Sequence, residues 1–308
     1  MPGLRGVTVR QLQIFASAAR SLSFSRTSEE LHLTQPAVSM QIKQLEDTAG
    51  LPLFERVGKK LFLTQAGQEV QRCAQQVIAA LRDADASLAA LKGMRGGKIT
   101  IGVVSTAKYF APKLLAAFAQ RHPEVDLKLV VNNREAVIAQ LTDNEVDLAV
   151  MGTPPRQLDT VAAPFAKHPL VVIAAPSHPL AQRKRIPLSA LENETFLVRE
   201  PGSGTRSAME RFFSDRGIKL RVGMEMSSNE TIKQAVMAGM GVSFLSQHTI
   251  GLEVATGQLV ILKVEGLPVV RQWYVVHRGE KRLLPAAEAF KAFMLKEGAE
   301  FLKHWPQG

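Results

Sequence analysis

Two donor-rich clusters carry the chemistry legible in this chain of 308 residues. The first lies in residues 23–46, SFSRTSEELHLTQPAVSMQIKQLE, which reads as two short helices around a tight turn. In the second helix Ala37, Val38, Ile42 and Leu45 recur at helical spacing, and Gln35, Pro36, Ser39, Met40 and Lys43 fill the other face. Amide, hydroxyl and ammonium groups on one helix face suit the major groove of double-stranded DNA. Phosphates there take donors and positive charge, and base edges take amides and hydroxyls. Thr34 is placed to cap this helix, and Pro36 falls in its first turn, where no amide donor is needed. The second cluster is Gly202-Ser203-Gly204-Thr205-Arg206, between a strand-like segment and a helix. Free amides and partial positive charge at a helix start favour an anion. Gly202 and Gly204 let the backbone approach a ligand, Ser203 and Thr205 add donors, and Arg206 suits a bidentate grip on carboxylate or phosphate.

Catalytic arrangements are not legible. The seven histidines, at 32, 122, 168, 178, 248, 277 and 304, show no metal-ligand spacing. His122-Pro123, His168-Pro169 and His178-Pro179 read as turn or helix-end positions. No nucleophile elbow, Cys-His pairing or close acidic pair stands out. The glycines at 202 and 204 lack the third glycine of a dinucleotide fingerprint and the Gly-Lys-Ser/Thr of a P-loop. A binding protein is expected, not an enzyme.

These groups need elements to position them. After the helix pair, strands over 53–56 and 61–63 form a hairpin around Val57-Gly58-Lys59-Lys60, with Arg56, Lys59 and Lys60 on one basic protrusion. Over 66–91, Val70, Ala74, Val77, Leu81, Ala84, Leu88 and Leu91 alternate by four and three, a heptad seam suited to two helices wound together. Lys92-Gly93-Met94-Arg95-Gly96-Gly97 then reads as a hinge. From Lys98 strands alternate with helices, the pattern of an α/β domain: strand 99–104, helix 107–120, strand 125–131. A weak internal repeat aligns 129–151 with 224–245, with Asn133 and Asn229 in matching places as helix caps at a cleft. Ser105-Thr106 likewise matches the 203–205 junction, and Thr153 follows the strand that ends the first repeat. Two similar halves imply two lobes with a cleft between them.

L-T-Q-P-A-V-S-x-x-I-K-x-L-E, then G-L-P-L-F-E-R and L-T-x-A-G, resembles the winged helix-turn-helix of LysR-type transcriptional regulators, without a gap over 12–67. The resemblance implies an α/β multidomain chain: a winged helix-turn-helix (1–65), a linker dimerisation helix and hinge (66–97), and a two-lobed effector-binding domain built like a periplasmic binding protein (98–308). Lobe I would be 98–168 with 273–308, and lobe II 169–272. Thr34, Gln35, Pro36, Ser39, Lys43, Arg56 and Lys59 would meet promoter DNA. Ser105, Thr106, Asn133, Thr153, Gly202, Ser203, Gly204, Thr205, Arg206 and Asn229 would meet a small anionic effector. Dimers assembling to a tetramer, contact with RNA polymerase and a cytoplasmic location are further implications. Two departures stand out: Thr27 and Ser28 replace a common alanine pair, so their hydroxyls need acceptors, and Met40 stands where many members carry Arg.

Within the sensor, GVVSTAKYFAPKLL, DNEVDLAVMGTPPRQLD, REPGSGTR and SSNETIKQAVMAGMGVSFLSQHT together resemble the branch regulating Calvin-cycle (ribulose bisphosphate carboxylase) operons. Regulators of sulfur or nitrogen metabolism share REPGSGTR-like segments and remain an alternative. The branch implies a non-covalent effector, a phosphorylated metabolite or a nicotinamide nucleotide. An architectural DNA-binding protein would not need two lobes, and a solute-binding protein would not need the recognition helix.

Composition agrees less specifically. The formal charge is +10, yet residues 1–65 hold eight Lys/Arg against five Asp/Glu, so the motif and not bulk charge argues for DNA. There is no apolar run long enough to span a membrane. The opening MPGLRGVTVRQLQIF lacks the apolar core of a signal peptide. A single cysteine, Cys73, excludes an intrachain disulfide.

Overall fold

The computed structural model describes residues 4–58, 60–91 and 96–303, with no side chain described at 86, 87 or 89–91. It divides into two compact units, residues 1–93 with 143–145, and residues 94–142 with 146–308. No helix among the described residues is long and apolar enough to cross a membrane.

The first unit runs α1 (Val9–Ser21), α2 (Phe24–Leu31), α3 (Gln35–Ala49), hairpin strands β1 (Phe54–Val57) and β2 (Lys60–Leu63), and α4 (Gln65–Leu91). Side chains start the first three helices: Thr8 and Gln11 form a capping box, Ser23 caps α2 and Thr34 caps α3. Phe15, Ala18, Val38, Ile42, Leu45 and Leu53 form the core. The two hydroxyls that replace alanine find carbonyls of the same helix: Thr27 Oγ1 donates to Ser23 O (2.9 Å) and Ser28 Oγ to Ser25 O (2.7 Å).

The hairpin is tied to α3 by one carboxylate, Glu46, whose Oε1 accepts from the amides of Leu53 (2.8 Å) and Phe54 (3.2 Å). Its far side is tied by Thr64, whose hydroxyl donates to Pro52 O (2.7 Å) and accepts from Gly67 N (3.0 Å). Gly67 presses so closely that a Cβ there would lie 2.0 Å from Leu53 O. Gly67→Ala is therefore expected to destabilise the unit by about 1–3 kcal/mol, the usual cost of overpacking. A chemical-denaturation midpoint unchanged from the parent would contradict this packing.

The heptad seam of α4 is divided. Val70 and Ala74 are buried and Val77 packs on the core of the same unit, because the first turns of α4 lie against α1. Leu81 (45% exposed) and Leu88 (55%) have no such cover. Only the second half thus offers an open apolar edge; the Leu91 side chain lies outside the described residues, as do hinge positions 92–95.

The second unit contains β3 (Gly97–Val104), α5 (Ala111–Arg121), β4 (Val125–Asn132), α6 (Arg134–Thr142), β5 (Leu148–Met151), β6 (Thr160–Ala174), β7 (Thr195–Arg199), α7 (Gly204–Ser214), β8 (Arg221–Met226), α8 (Asn229–Met237), β9 (Ser243–Ser246), α9 (Gly251–Ala255), β10 (Val260–Ile261), β11 (Val269–Arg278) and α10 (Pro285–Lys303). The helix expected over 107–120 starts at Ala111, after a 3-10 turn at Ala107–Tyr109, with Pro112 in its first turn.

Seven strands form one sheet in the order β10-β6-β11-β5-β3-β4, with β9 also on β6. β3 runs parallel to β4 and β5, while β6 and β11 pair antiparallel. These two strands serve both lobes. Phe165, Ala166, Trp273, Val275 and Val276 belong to the first core, and Leu170 and Val172 to a second, which β11 meets through Val269. Along β6, Val171 and Ile173 point the opposite way into a further cluster with Ile232, Val236 and Leu245. The strand is buried on both faces, which explains its continuous apolar run. One expectation is corrected here: His168-Pro169 is not a turn but lies inside β6, facing Arg271 and Val270 of β11. Pro169 stands just before the pairing of β6 with β9 begins at Leu170, so on that side no ladder needs its missing N–H.

Candidate functional site

On the first unit, Thr34 caps α3 with its hydroxyl accepting from Ala37 N (3.4 Å). Val38, Ile42 and Leu45 turn inward, and Thr34, Gln35, Pro36, Ser39, Met40 and Lys43 are all exposed. Gln35, Ser39 and Lys43, spaced four apart, form a stripe along one side of the helix. Arg56 is exposed on β1, and Ser39, Lys43 and Arg56 line one open groove between α3 and the hairpin. Lys59 lies outside the described residues. A helix face and a basic protrusion flanking one groove can follow a duplex, the helix in the major groove and the cations on phosphates.

On the second unit, a narrow cavity with about 20 Å³ of room lies where the lobes meet. Ser105, Thr106, Thr153, Ser203, Gly204 and Thr205 line it, as the two matched junctions imply. Gly204 and Thr205 open α7, so their amides have no acceptor within the helix, and Ser203 caps it. Five further lining residues were not foreseen: Val104, Arg134, Gly152, His168 and Arg271. Arg271 Nη1 donates to Thr153 Oγ1 and Gly204 O (3.3 Å each), so it touches both lobes. Arg134 donates to the carbonyls of Thr153 (3.3 Å) and Pro154 (3.4 Å). Neither guanidinium meets a carboxylate among the described residues. Burial, then the charges of Arg134 and Arg211, pushes Arg271 down to about 10. Arg134 is lowered likewise, by burial first and then by Arg211. Two crowded cations without a counter-ion make the cavity strongly attractive to an anion.

The other expected residues take different places. Arg206 faces away from the cavity: its Nε donates to Glu210 (2.8 Å), Nη1 to Glu225 and to Arg199 O (3.0 Å). As the third residue of α7 it lies round the helix from Gly204, and two carboxylates already hold its charge and raise its pKa. Gly202, at φ +81°, points its carbonyl at Glu135 N (3.3 Å) beside the cavity rather than in it. Asn133 caps α6, accepting from Ala136 N (3.0 Å). Asn229 caps nothing; its Oδ1 accepts from the buried Arg199 (2.5 Å), which also donates to Ser105 Oγ (3.0 Å). Arg199 and Asn229 therefore fix Ser105 from behind.

The signals for the missed residues were uneven. Arg134 sits beside the Asn133 that the repeat singled out. Arg271 carried no local mark, because β11 reaches the site only through its pairing with β6.

Residues 9–68 match the model of the bacterial regulatory helix-turn-helix protein, lysR family, and residues 92–299 that of the LysR substrate binding domain. The HTH-type transcriptional regulator CfxR of Cupriavidus necator is 53% identical over 97% of this chain and 94% of its own length. The RuBisCO operon transcriptional regulator of Allochromatium vinosum is 53% identical over 95% of this chain and 97% of its own. A solved structure of the Synechocystis PCC6803 CcmR regulatory domain in complex with 2-PG superposes with a TM-score of 0.63 at 42% identity, covering 65% of this chain and 96% of that one.

Proposed function

The chain belongs to the LysR family of transcriptional regulators, in the branch whose relatives are named for the RuBisCO operon, and from that premise we propose that it switches carbon-fixation genes in response to a small phosphorylated acid bound between its sensor lobes. The observation that carries this reading is the pair Arg134 and Arg271, half-buried at the cleft without a carboxylate partner among the described residues. A dianion completes them, and the hydroxyls of Ser105, Thr106, Thr153, Ser203 and Thr205 with the α7 amides supply its remaining hydrogen bonds. The narrowness of the cavity favours a small phosphorylated acid over a nicotinamide nucleotide.

Gln35 and Ser39 read base edges, and Lys43, Arg56 and Lys59 hold phosphates, with Thr34 and Pro36 setting the helix start. The open edge at Leu81 and Leu88 pairs with a second copy, and pairs of dimers give a tetramer. The regulator works in the cytoplasm, contacts RNA polymerase at its promoters and catalyses no reaction of its own.

Full-length protein titrated with 2-phosphoglycolate tests the reading. At a concentration 100 times Kd, unfolding free energy of the sensor should rise by about 2.7 kcal/mol, whereas glycolate at equal concentration should leave it near the starting value. An unshifted thermal transition, together with an unaltered promoter footprint, would sink the phosphorylated-acid reading.

A further inference from the structure

The chemistry of the cleft floor has a third participant, His168, which is 1% exposed and lines the cavity. Neither of its ring nitrogens has a protein hydrogen-bond partner. Its ring stacks on Trp273 (centroids 3.8 Å apart, planes at 15°), so the nitrogens cannot swing to another acceptor without breaking that contact. In the β6–β11 pairing it sits directly opposite Arg271. A Cβ at Gly152 would lie 2.7 Å from His168 Nδ1 and 3.1 Å from Arg271 Nη2. The absent side chain at Gly152 thus leaves imidazole and guanidinium facing the same space. An unpartnered, fully buried imidazole facing that space beside an unpaired cation marks a place for a ligand atom.

We propose that His168 is the residue that reads the charge of the effector's phosphoryl group, accepting a proton from solvent as the dianion enters. This rests on the anion cleft argued above and adds a proton to its binding equilibrium. The groups facing His168 are Arg271 from β11, His248 from the 3-10 turn after β9 (ring centroids 6.2 Å apart) and Arg134 from α6. No carboxylate lines the cavity. With only positive or neutral neighbours, burial first and then Arg271 and His248 hold the free imidazole well below its usual pKa. A neutral ring offers one donor and one acceptor, and the acceptor would face a phosphate oxygen with nothing to share. The protonated ring offers a second donor and charge, and a negative neighbour at contact distance favours that form. The N–H bond forms at a ring nitrogen, the proton comes from water or buffer, and nothing else is transferred.

Linkage gives the sign. Where the free ring is neutral and the bound ring charged, binding takes up one proton, so affinity falls about tenfold for each unit of pH increase. Phosphate monoesters have a second pKa near 6. At pH 8 the phosphoryl group of 2-phosphoglycolate is already doubly charged and its carboxylate ionised, so any uptake belongs to the protein.

Isothermal titration of full-length protein with 2-phosphoglycolate at pH 8, in phosphate-free buffers of different ionisation enthalpy, counts the protons. The parent is expected to take up close to one per ligand, and His168→Gln close to none with affinity lowered at least about tenfold. Binding by the parent with no proton uptake, or the same uptake in the variant, overturns the role of His168 while leaving the cleft reading standing. No binding of 2-phosphoglycolate or inorganic phosphate overturns both. Should His168→Gln fail to fold, 15N spectra of histidine-labelled parent decide. The His168 nitrogens must move to the imidazolium pattern on saturation, and a neutral pattern in the complex refutes the proposal.

Discussion

Arg271→Gln is expected to lower affinity for 2-phosphoglycolate at least about 30-fold, because removing one member of a buried, hydrogen-bonded charge pair costs 2–5 kcal/mol. Glutamine keeps a donor for Thr153 and much of the volume, so the loss reports charge rather than a collapsed cleft. The matched control is Arg206→Gln, whose parent guanidinium is already satisfied by Glu210 and Glu225 outside the cavity. That variant should bind the ligand within about twofold of the parent, a few tenths of a kcal/mol. In gel shifts without ligand both variants should hold promoter DNA like the parent. With ligand, only Arg271→Gln should fail to change its DNA affinity, losing a coupling of about 1–3 kcal/mol. Equal losses in the two variants would place the anion elsewhere on α7.

Lys43→Ala and Gln35→Ala should separate two ways of holding DNA. Both side chains are exposed, whereas Val38, Ile42 and Leu45 turn inward, so neither change disturbs the core. Losing the Lys43 ammonium should weaken specific and random duplexes alike and flatten the logarithmic salt dependence by about one unit. Losing the Gln35 amide should cost about 1–3 kcal/mol on the operator and little on random DNA. A Gln35→Ala protein that discriminates operator from random sequence like the parent would remove Gln35 from base reading. Met40, 54% exposed between them, has no polar atom to read a base edge and offers only apolar contact.

How legible the molecule was depends on the distance over which each signal acts. Helix faces, caps and the hairpin follow from residues within four or so of one another, and residues 34–46 show this well. Thr34 caps, Pro36 opens, and Val38, Ile42 and Leu45 turn inward. The glycine of L-T-x-A-G and the glutamate of K-x-L-E were visible as motif letters, but their purposes were not. Only the folded hairpin shows Gly67 against Leu53 O and Glu46 holding two of its amides. Similarly, the even heptad of α4 concealed that Val70 and Ala74 are spent on the unit's own core.

By itself, then, the amino-acid order determined the recognition helix, the basic hairpin, the two strand-to-helix junctions and the paired lobes, because periodicity, capping and turn chemistry are local. Tertiary structure alone decided what charge the cleft holds. Arg206 had the local appearance of an anion clamp, but its rotation about α7 and the arrival of Glu225 on β8 turned it outward. Arg271 and His168 had no local appearance of a site. They meet because antiparallel pairing of β6 and β11 sets them opposite each other where both strands pass between cores, and register between distant strands follows from burying both faces of the sheet.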